Sequence, residues 1–137
     1  MRTRTRRRRM RWAWALLALL PWAGAAPAGE QEYLYQRDVE VPAFQTLREF
    51  FDMPDRPGAY LVTLVSEAIG PLTFRVLRAH GDAEQVVRRK RSYHVKSHEF
   101  QVRFDNPKGA DDLIVEVSNS NPAAGAKVTV FVVELRK

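Results

Sequence analysis

Two histidines four positions apart have the spacing in this sequence that is closest to a metal-binding motif. On a helix, His94 and His98 would lie side by side, as zinc ligands often do. On a strand, four residues span about 13 Å, which is too far for one ion to bind both side chains. Because the surrounding pattern predicts strands, we expect surface histidines beside a hairpin, with transition-metal binding as the alternative.

A group of carboxylate and amide side chains is the second candidate for metal chemistry. It consists of Asp105, Asn106, Asp111 and Asp112. Oxygen ligands of this kind bind calcium, but the stretch lacks the glycine and the terminal glutamate of an EF-hand loop. Asp and Asn also stabilise turns by hydrogen-bonding nearby backbone. We therefore expect turn formation and no cofactor, with calcium as the alternative.

A basic run at residues 88–91, Arg-Arg-Lys-Arg, concentrates positive charge within a predicted strand. Alternate side chains of a strand point to opposite faces, which predicts an edge strand or a protruding hairpin rather than a buried strand. The run also suggests a binding patch for an acidic protein, an anionic glycan or a lipid headgroup. The candidate contacts are Arg89, Arg91, Tyr93 and Lys96.

No catalytic motif is visible in the sequence. It contains no Gly-x-Ser-x-Gly elbow, no phosphate-binding glycine loop and no His-Glu-x-x-His pair. It also contains no cysteine, which excludes disulfides, thiol catalysis and cysteine-ligated metals. We expect a protein that is not an enzyme. The alternative is a small metal-dependent or hydrolytic enzyme that uses His80, His94 or His98 with loop carboxylates.

Residues 1–28 have the layout of a cleaved signal peptide. An arginine-rich head precedes an apolar stretch, and small residues allow cleavage after Ala28 or, as the second choice, after Ala25. An uncleaved anchor is less favoured, because the apolar stretch of about 17 residues is interrupted by prolines and a bilayer core needs roughly 20. We expect a bacterial periplasmic or secreted protein that has no stable membrane insertion after cleavage.

Removing this leader changes the charge of the protein. The whole chain has a formal net charge of +6, but seven of its 22 basic residues and none of its 16 acidic residues lie in the leader. The remaining chain therefore has 15 basic and 16 acidic residues. Nucleic-acid binding, which a strongly basic protein would suggest, is not expected.

The remaining residues, 29–137, alternate apolar and polar side chains with a period of two, as half-buried strands do. We predict one all-β domain, a two-sheet antiparallel sandwich of Greek-key or jelly-roll type with about seven or eight strands. The apolar run 128–135 predicts a central strand, and the first strand predicts an edge. The apolar residues of 43–52 recur at spacings of three and four, which allows at most one short helix there.

Three stretches resemble a known family of secreted domains. The strand 57–64, Pro-Gly-Ala-Tyr-Leu-Val-Thr-Leu, together with 100–106 and 113–119, is similar to the bacterial pre-peptidase C-terminal type of β-sandwich. A second resemblance, carried by Phe-Asp-Asn at 104–106, is to the Golgi-dynamics type of sandwich. These resemblances imply non-catalytic interaction.

We therefore expect an exported, non-catalytic binding or accessory module that engages a protein or polysaccharide partner. A self-assembling structural subunit is a further alternative, so the oligomeric state stays open.

Overall fold

The computed structural model describes residues 32–136, which form eight strands and no helix. In chain order they are β1 (Glu32–Val41), β2 (Thr46–Phe51), β3 (Gly58–Ser66), β4 (Leu72–His80), β5 (Ala83–Ser92), β6 (His98–Asn106), β7 (Asp112–Asn119) and β8 (Ala126–Glu134). The predicted signal peptide and its cleavage sites lie outside the described residues. Within residues 32–136, no helix is long and apolar enough to cross a membrane.

The strands form two four-stranded antiparallel sheets. The first sheet has the order β1-β8-β3-β6 and the second has the order β2-β7-β4-β5. Eight strands connected in this way make a jelly roll, which is a double Greek key. The predicted sandwich is confirmed. The prediction that the last strand is central and the first an edge is also confirmed, because β8 lies between β1 and β3.

The sequence allows at most one short helix near 43–52, and none forms there, because β2 occupies most of this segment. Phe44 takes a φ of 58° in the preceding turn, outside any helix. Leu47 and Phe51 face the core, whereas Phe50 is 62% exposed on the outer face. Antiparallel pairing with β7 from Thr46 to Phe51 satisfies the backbone along the segment. This tertiary pairing overrides the local spacing of the apolar residues.

The core fills the space between the two sheets. Phe74 of β4 stacks on Phe100 of β6 with ring centroids 5.8 Å apart, which joins the second sheet to the first. Valines dominate the inner face of β8, and every second residue of β3 and β6 is buried. The largest fully buried side chains are Tyr60, Phe51, Phe74, Phe104, Leu64, Leu72, Leu113 and Ile114. Burial of apolar side chains from both sheets stabilises the fold. The chain has no disulfide to add to this stability.

Tyr60 leaves one polar group unsatisfied in this core. Its hydroxyl is the one buried side-chain oxygen or nitrogen in residues 32–136 that has no hydrogen-bond partner. Burial raises the pKa of Tyr60, Glu134 raises it further, and Arg56 opposes the rise. The hydroxyl therefore contributes only a desolvation cost to the folded state.

Tyr60→Phe is expected to raise the free energy of unfolding by about 1 kcal/mol, because it removes the orphaned hydroxyl and keeps the ring. Tyr35→Phe is the matched control. The Tyr35 hydroxyl donates to the Asp52 carbonyl at 2.5 Å, so its loss is expected to destabilise the protein. Urea denaturation measures both effects. Destabilisation by Tyr60→Phe would show that the hydroxyl has a favourable partner.

Candidate functional site

The expectation that both histidines lie on the surface is wrong for His98, which is buried and has a structural role. His98 is 2% exposed at the start of β6, and its Nε2 donates to the Ala68 carbonyl at 3.0 Å. Its Nδ1 lies 2.7 Å from the Ser92 hydroxyl, which donates to it when the ring is neutral. Ser92 is itself 2% exposed, so this serine and histidine pair is closed to a substrate. His98 thus ties the loop between β3 and β4 to the end of β5.

His94 does not join His98 in a metal site. It is exposed in the loop between β5 and β6, whereas both nitrogens of His98 are used by Ala68 and Ser92. Nowhere in residues 32–136 do three or more His, Asp or Glu side chains form a group able to hold a metal ion. The geometry therefore does not favour the transition-metal hypothesis.

The four calcium candidates face different partners. Asp105 pairs with Arg103 at 2.8 Å, and Asp112 accepts a hydrogen bond from the Met53 backbone at 2.9 Å. Asn106 is 1% exposed, and its amide makes two hydrogen bonds to the backbone of Asp111. These are the turn contacts expected of Asx residues. Calcium binding stays a hypothesis that these contacts do not favour.

Asp111 lies in a charged cluster at one end of the sandwich. Its carboxylate accepts hydrogen bonds from Arg78 and from His80 Nδ1, each at 2.8 Å. The hydrogen bond from Arg78 is the main reason that the pKa of Asp111 lies below its usual value; burial opposes this shift and the bond from His80 adds to it. The surrounding surface pocket of about 380 Å³ is lined by no serine, threonine or cysteine. The histidine and aspartate therefore have no hydroxyl or thiol nucleophile beside them in this pocket.

Asp111→Asn is expected to lower the free energy of unfolding at pH 7. A carboxyl whose pKa is lower in the folded chain stabilises the fold above its unfolded pKa, and this contribution is lost as pH falls through the folded pKa. The difference between wild type and Asp111→Asn should therefore shrink below about pH 4. Urea denaturation at several pH values measures this difference, with Asp105→Asn, at an exposed position near the end of β6, as the control. A difference independent of pH would contradict the prediction.

Residues 88–91 form what we call the basic edge: Arg88, Arg89, Lys90 and Arg91. They lie on β5, which is an edge strand of the second sheet, as the sequence predicts. Register with β4 places Arg89 and Arg91 opposite Arg75 and Thr73, on the outer face. Arg88 and Lys90 point the other way, and Lys90 donates to the Glu99 carbonyl at 3.1 Å. All four residues are exposed.

The arginines of the basic edge lack the acidic partners that most other described arginines have. Six arginines elsewhere form ion pairs with Asp or Glu: Arg37, Arg48, Arg56, Arg75, Arg78 and Arg103. Among the described residues, none of the four basic-edge cations forms such a pair. Arg91 instead donates to the hydroxyls of Thr73 and Ser120. These cations are available to an acidic ligand.

The outer face of the second sheet explains why Arg89 is left without a partner. Arg48, Glu116, Arg75 and Arg89 follow one another across the four strands in register. Glu116 is 9% exposed and pairs with both Arg48 and Arg75, at 3.3 and 2.5 Å. Arg48 also reaches Glu84 at 2.7 Å. Glu116 and Glu84 thus pair with Arg48 and Arg75, and Arg89 at the end of the row has no carboxylate among the described residues to pair with.

Tyr93 belongs with the basic edge, whereas Lys96 does not. Tyr93 follows β5, is 70% exposed, and has the Arg91 guanidinium 5.3 Å from its ring centroid. Lys96, in the same loop, takes a φ of 65° and lines a separate open groove of about 610 Å³ beside Glu67 and Glu99. The structure therefore brings together three of the four predicted contact residues.

Sequence reasoning left Arg88 and Lys90 out of the candidate contacts. On a strand with one buried face, the Arg88 and Lys90 side chains would point into the core. β5 is an edge strand, and both side chains remain exposed. The basic run itself indicates that Arg88 and Lys90 are exposed. Consecutive strand residues point to opposite faces, so a run of charged residues requires both faces of the strand to be exposed.

No protein family model matches the chain, and no curated protein matches it. The Yersinia pseudotuberculosis-derived mitogen has a TM-score of 0.56 at 10% identity, over 75% of this chain and 86% of that one. PirA has a TM-score of 0.53 at 17% identity, over 74% and 95% of the two chains. The cowpea mosaic virus top component has a TM-score of 0.53 at 10% identity, over 74% and 84%. At such low sequence identity, the similarity to these structures concerns the fold alone. It is consistent with a jelly-roll β-sandwich.

Proposed function

We propose that this protein is an exported, non-catalytic binding module whose basic edge and Tyr93 bind an acidic protein or polysaccharide partner. One observation carries the proposal: the basic-edge cations form no ion pair, whereas six arginines elsewhere on the described surface do. Arginine forks match carboxylate and sulfate groups in geometry, and exposed guanidinium groups need little rearrangement to bind them.

The absence of competing carboxylates matters because the processed protein is close to neutral. A near-neutral protein has no general attraction for polyanions, so binding must come from a local concentration of charge. Tyr93 adds a flat, exposed ring next to Arg91, which supplies apolar contact area beside the charges. The combination of arginine and tyrosine is typical of binding hot spots.

Export rests on the sequence of residues 1–28. If the leader is removed after Ala28, the strand β1 begins only a few residues later, which leaves the sandwich as the working part of the protein. A stable domain without cysteine folds equally well in an oxidising compartment, because it has no thiol to oxidise.

Arg89→Glu together with Arg91→Glu tests the proposed site. Wild-type protein is expected to be retained on immobilised poly-glutamate or heparin and released by salt, since exposed charge pairs are screened. The double variant is expected to bind about tenfold more weakly. Its control, Lys108→Glu with Lys127→Glu, makes the same change in net charge at exposed positions away from β5.

The control variant is expected to bind as wild type does. Equal weakening of the two double variants would mean that only net charge matters and would overturn the assignment to the basic edge. Failure of wild type to bind either probe at low salt would overturn the proposed function itself.

A further inference from the structure

We propose that the ligand of the basic edge is an extended acidic peptide segment of a partner protein, which adds to β5 as a fifth strand of the second sheet. This inference rests on the proposed function and names the class of partner. Strand addition at an exposed sheet edge is a general mode of peptide recognition, in which the backbone supplies affinity and alternate side chains supply specificity.

The position of β5 supplies the first part of the argument. β5 pairs with β4 on one side, and among residues 32–136 no strand pairs with it on the other. An edge strand presents a row of backbone N–H and C=O groups that another chain can use. The neighbouring edge strand β6 belongs to the other sheet, and the contact from Lys90 to it goes through a side chain.

The direction of the cations favours a peptide over a polysaccharide. Arg89 and Arg91 point to the outer face of the sheet, and Arg88 and Lys90 point to the opposite face. A polyanion lying on one face would reach only half of them. A peptide strand presents its own side chains alternately to both faces, so consecutive acidic residues could each lie opposite a cation, about 5 Å away across the strands.

The same cations prevent β5 from pairing with a second copy of itself. Two basic edges side by side would place arginine against arginine or lysine, and like charges directly opposite each other destabilise a sheet. An acidic strand would instead place opposite charges across from each other, which stabilises a sheet. The basic edge therefore discriminates against self-association and selects for an acidic partner.

A bulge limits the length of the docking segment. The register between β4 and β5 shifts between Val76 and Leu77, so Val87 has no partner on β4. From Arg88 to Ser92 the pairing with β4 is regular. A bulge twists an edge and interrupts pairing, so the added strand is expected to cover the residues from Arg88 to Ser92.

The test compares three probes by isothermal titration on the purified protein at low salt. The first is a ten-residue peptide that carries four consecutive glutamates within a threonine and valine sequence. The second is the same peptide with its central amide nitrogens methylated, which keeps the charge and removes the hydrogen-bond donors. The third is a heparin oligosaccharide. We expect the first peptide to bind and methylation to weaken it at least tenfold.

Amide hydrogen exchange of the protein provides a second readout. The unmethylated peptide is expected to slow exchange at residues 88–92 and to leave exchange in β1 and β2, two edge strands that do not adjoin β5, unchanged. Arg89→Glu with Arg91→Glu should abolish both the binding and the protection.

The outcomes separate the two proposals. If the methylated peptide binds as well as the first, if the heparin oligosaccharide binds and the peptide does not, or if residues 88–92 gain no protection, then strand addition is wrong while the proposed function stands. If no acidic probe binds, or if the double charge reversal changes nothing, both proposals are wrong.

Discussion

Gly109→Ala is expected to lower the free energy of unfolding by about 3 kcal/mol or more. Gly109 has a φ of +67° in the turn between β6 and β7, and its N–H donates to the Asn106 carbonyl at 3.2 Å. A side chain in this left-handed region costs about 1–2 kcal/mol. A Cβ would also lie 2.5–2.7 Å from the backbone atoms of Arg56. Two loop backbones would have to separate, which adds the cost of overpacking.

Gly81→Ala separates the two costs. Gly81 has a similar φ of +61°, but nothing lies within 4 Å of the Cβ that would be added. We expect this variant to lose only about 1–2 kcal/mol from the backbone conformation. Thermal and urea denaturation of both variants measure the difference. Equal losses would show that the turn does not pack against Arg56 as the structure has it.

Asn119→Asp is expected to cost about 2–4 kcal/mol, although the two side chains have the same shape. Asn119 is 3% exposed at the end of β7. Its Nδ2 donates to the carbonyls of Val41 and Ala124, at 3.2 and 2.9 Å, and its Oδ1 accepts from the Asn121 N–H at 2.9 Å. An aspartate would place a carboxylate oxygen against those carbonyl oxygens, and it would bring a negative charge into an almost fully buried site.

Asn121→Asp is the matched control for Asn119→Asp. The Oδ1 atom of Asn121 accepts hydrogen bonds from the Ala123 and Ala124 backbones, which an aspartate retains. Only the bond from its Nδ2 to the Ile69 carbonyl is lost, at an exposed site. We expect a loss below about 1 kcal/mol. Equal effects of the two substitutions in urea denaturation would mean that Asn119 does not join β7 to the end of β1.

The strands were readable from the sequence because each buries one face. In β6, His98, Phe100, Val102, Phe104 and Asn106 are buried and the residues between them are exposed, so the period of two is complete. The short strand β2 was not readable, because Phe50 breaks the pattern by facing solvent. An exposed phenylalanine next to a buried one imitates the spacing of a helix, and only pairing with β7 resolves the ambiguity.

The candidate site was readable in part. Consecutive cations on a predicted strand indicated an edge, and β5 is an edge. The roles of the other candidates were not readable, because hydrogen-bond partners come from distant positions. His98 bonds to Ala68, and Asp111 bonds to Arg78, each about thirty residues away along the chain. Spacing within one segment cannot report such contacts.

By itself, the sequence determined the class of fold, the central place of the last strand and the location of the basic run on an edge. These properties follow from the alternation of apolar and polar side chains, which is local and has a fixed period in strands. The tertiary structure alone decided which charges are free. Glu116 pairs with both Arg48 and Arg75 only because β7 lies between β2 and β4, and Arg89 is left at the end of that row. Ion pairs between strands depend on register and strand order, and neither is encoded in the spacing of residues along one strand.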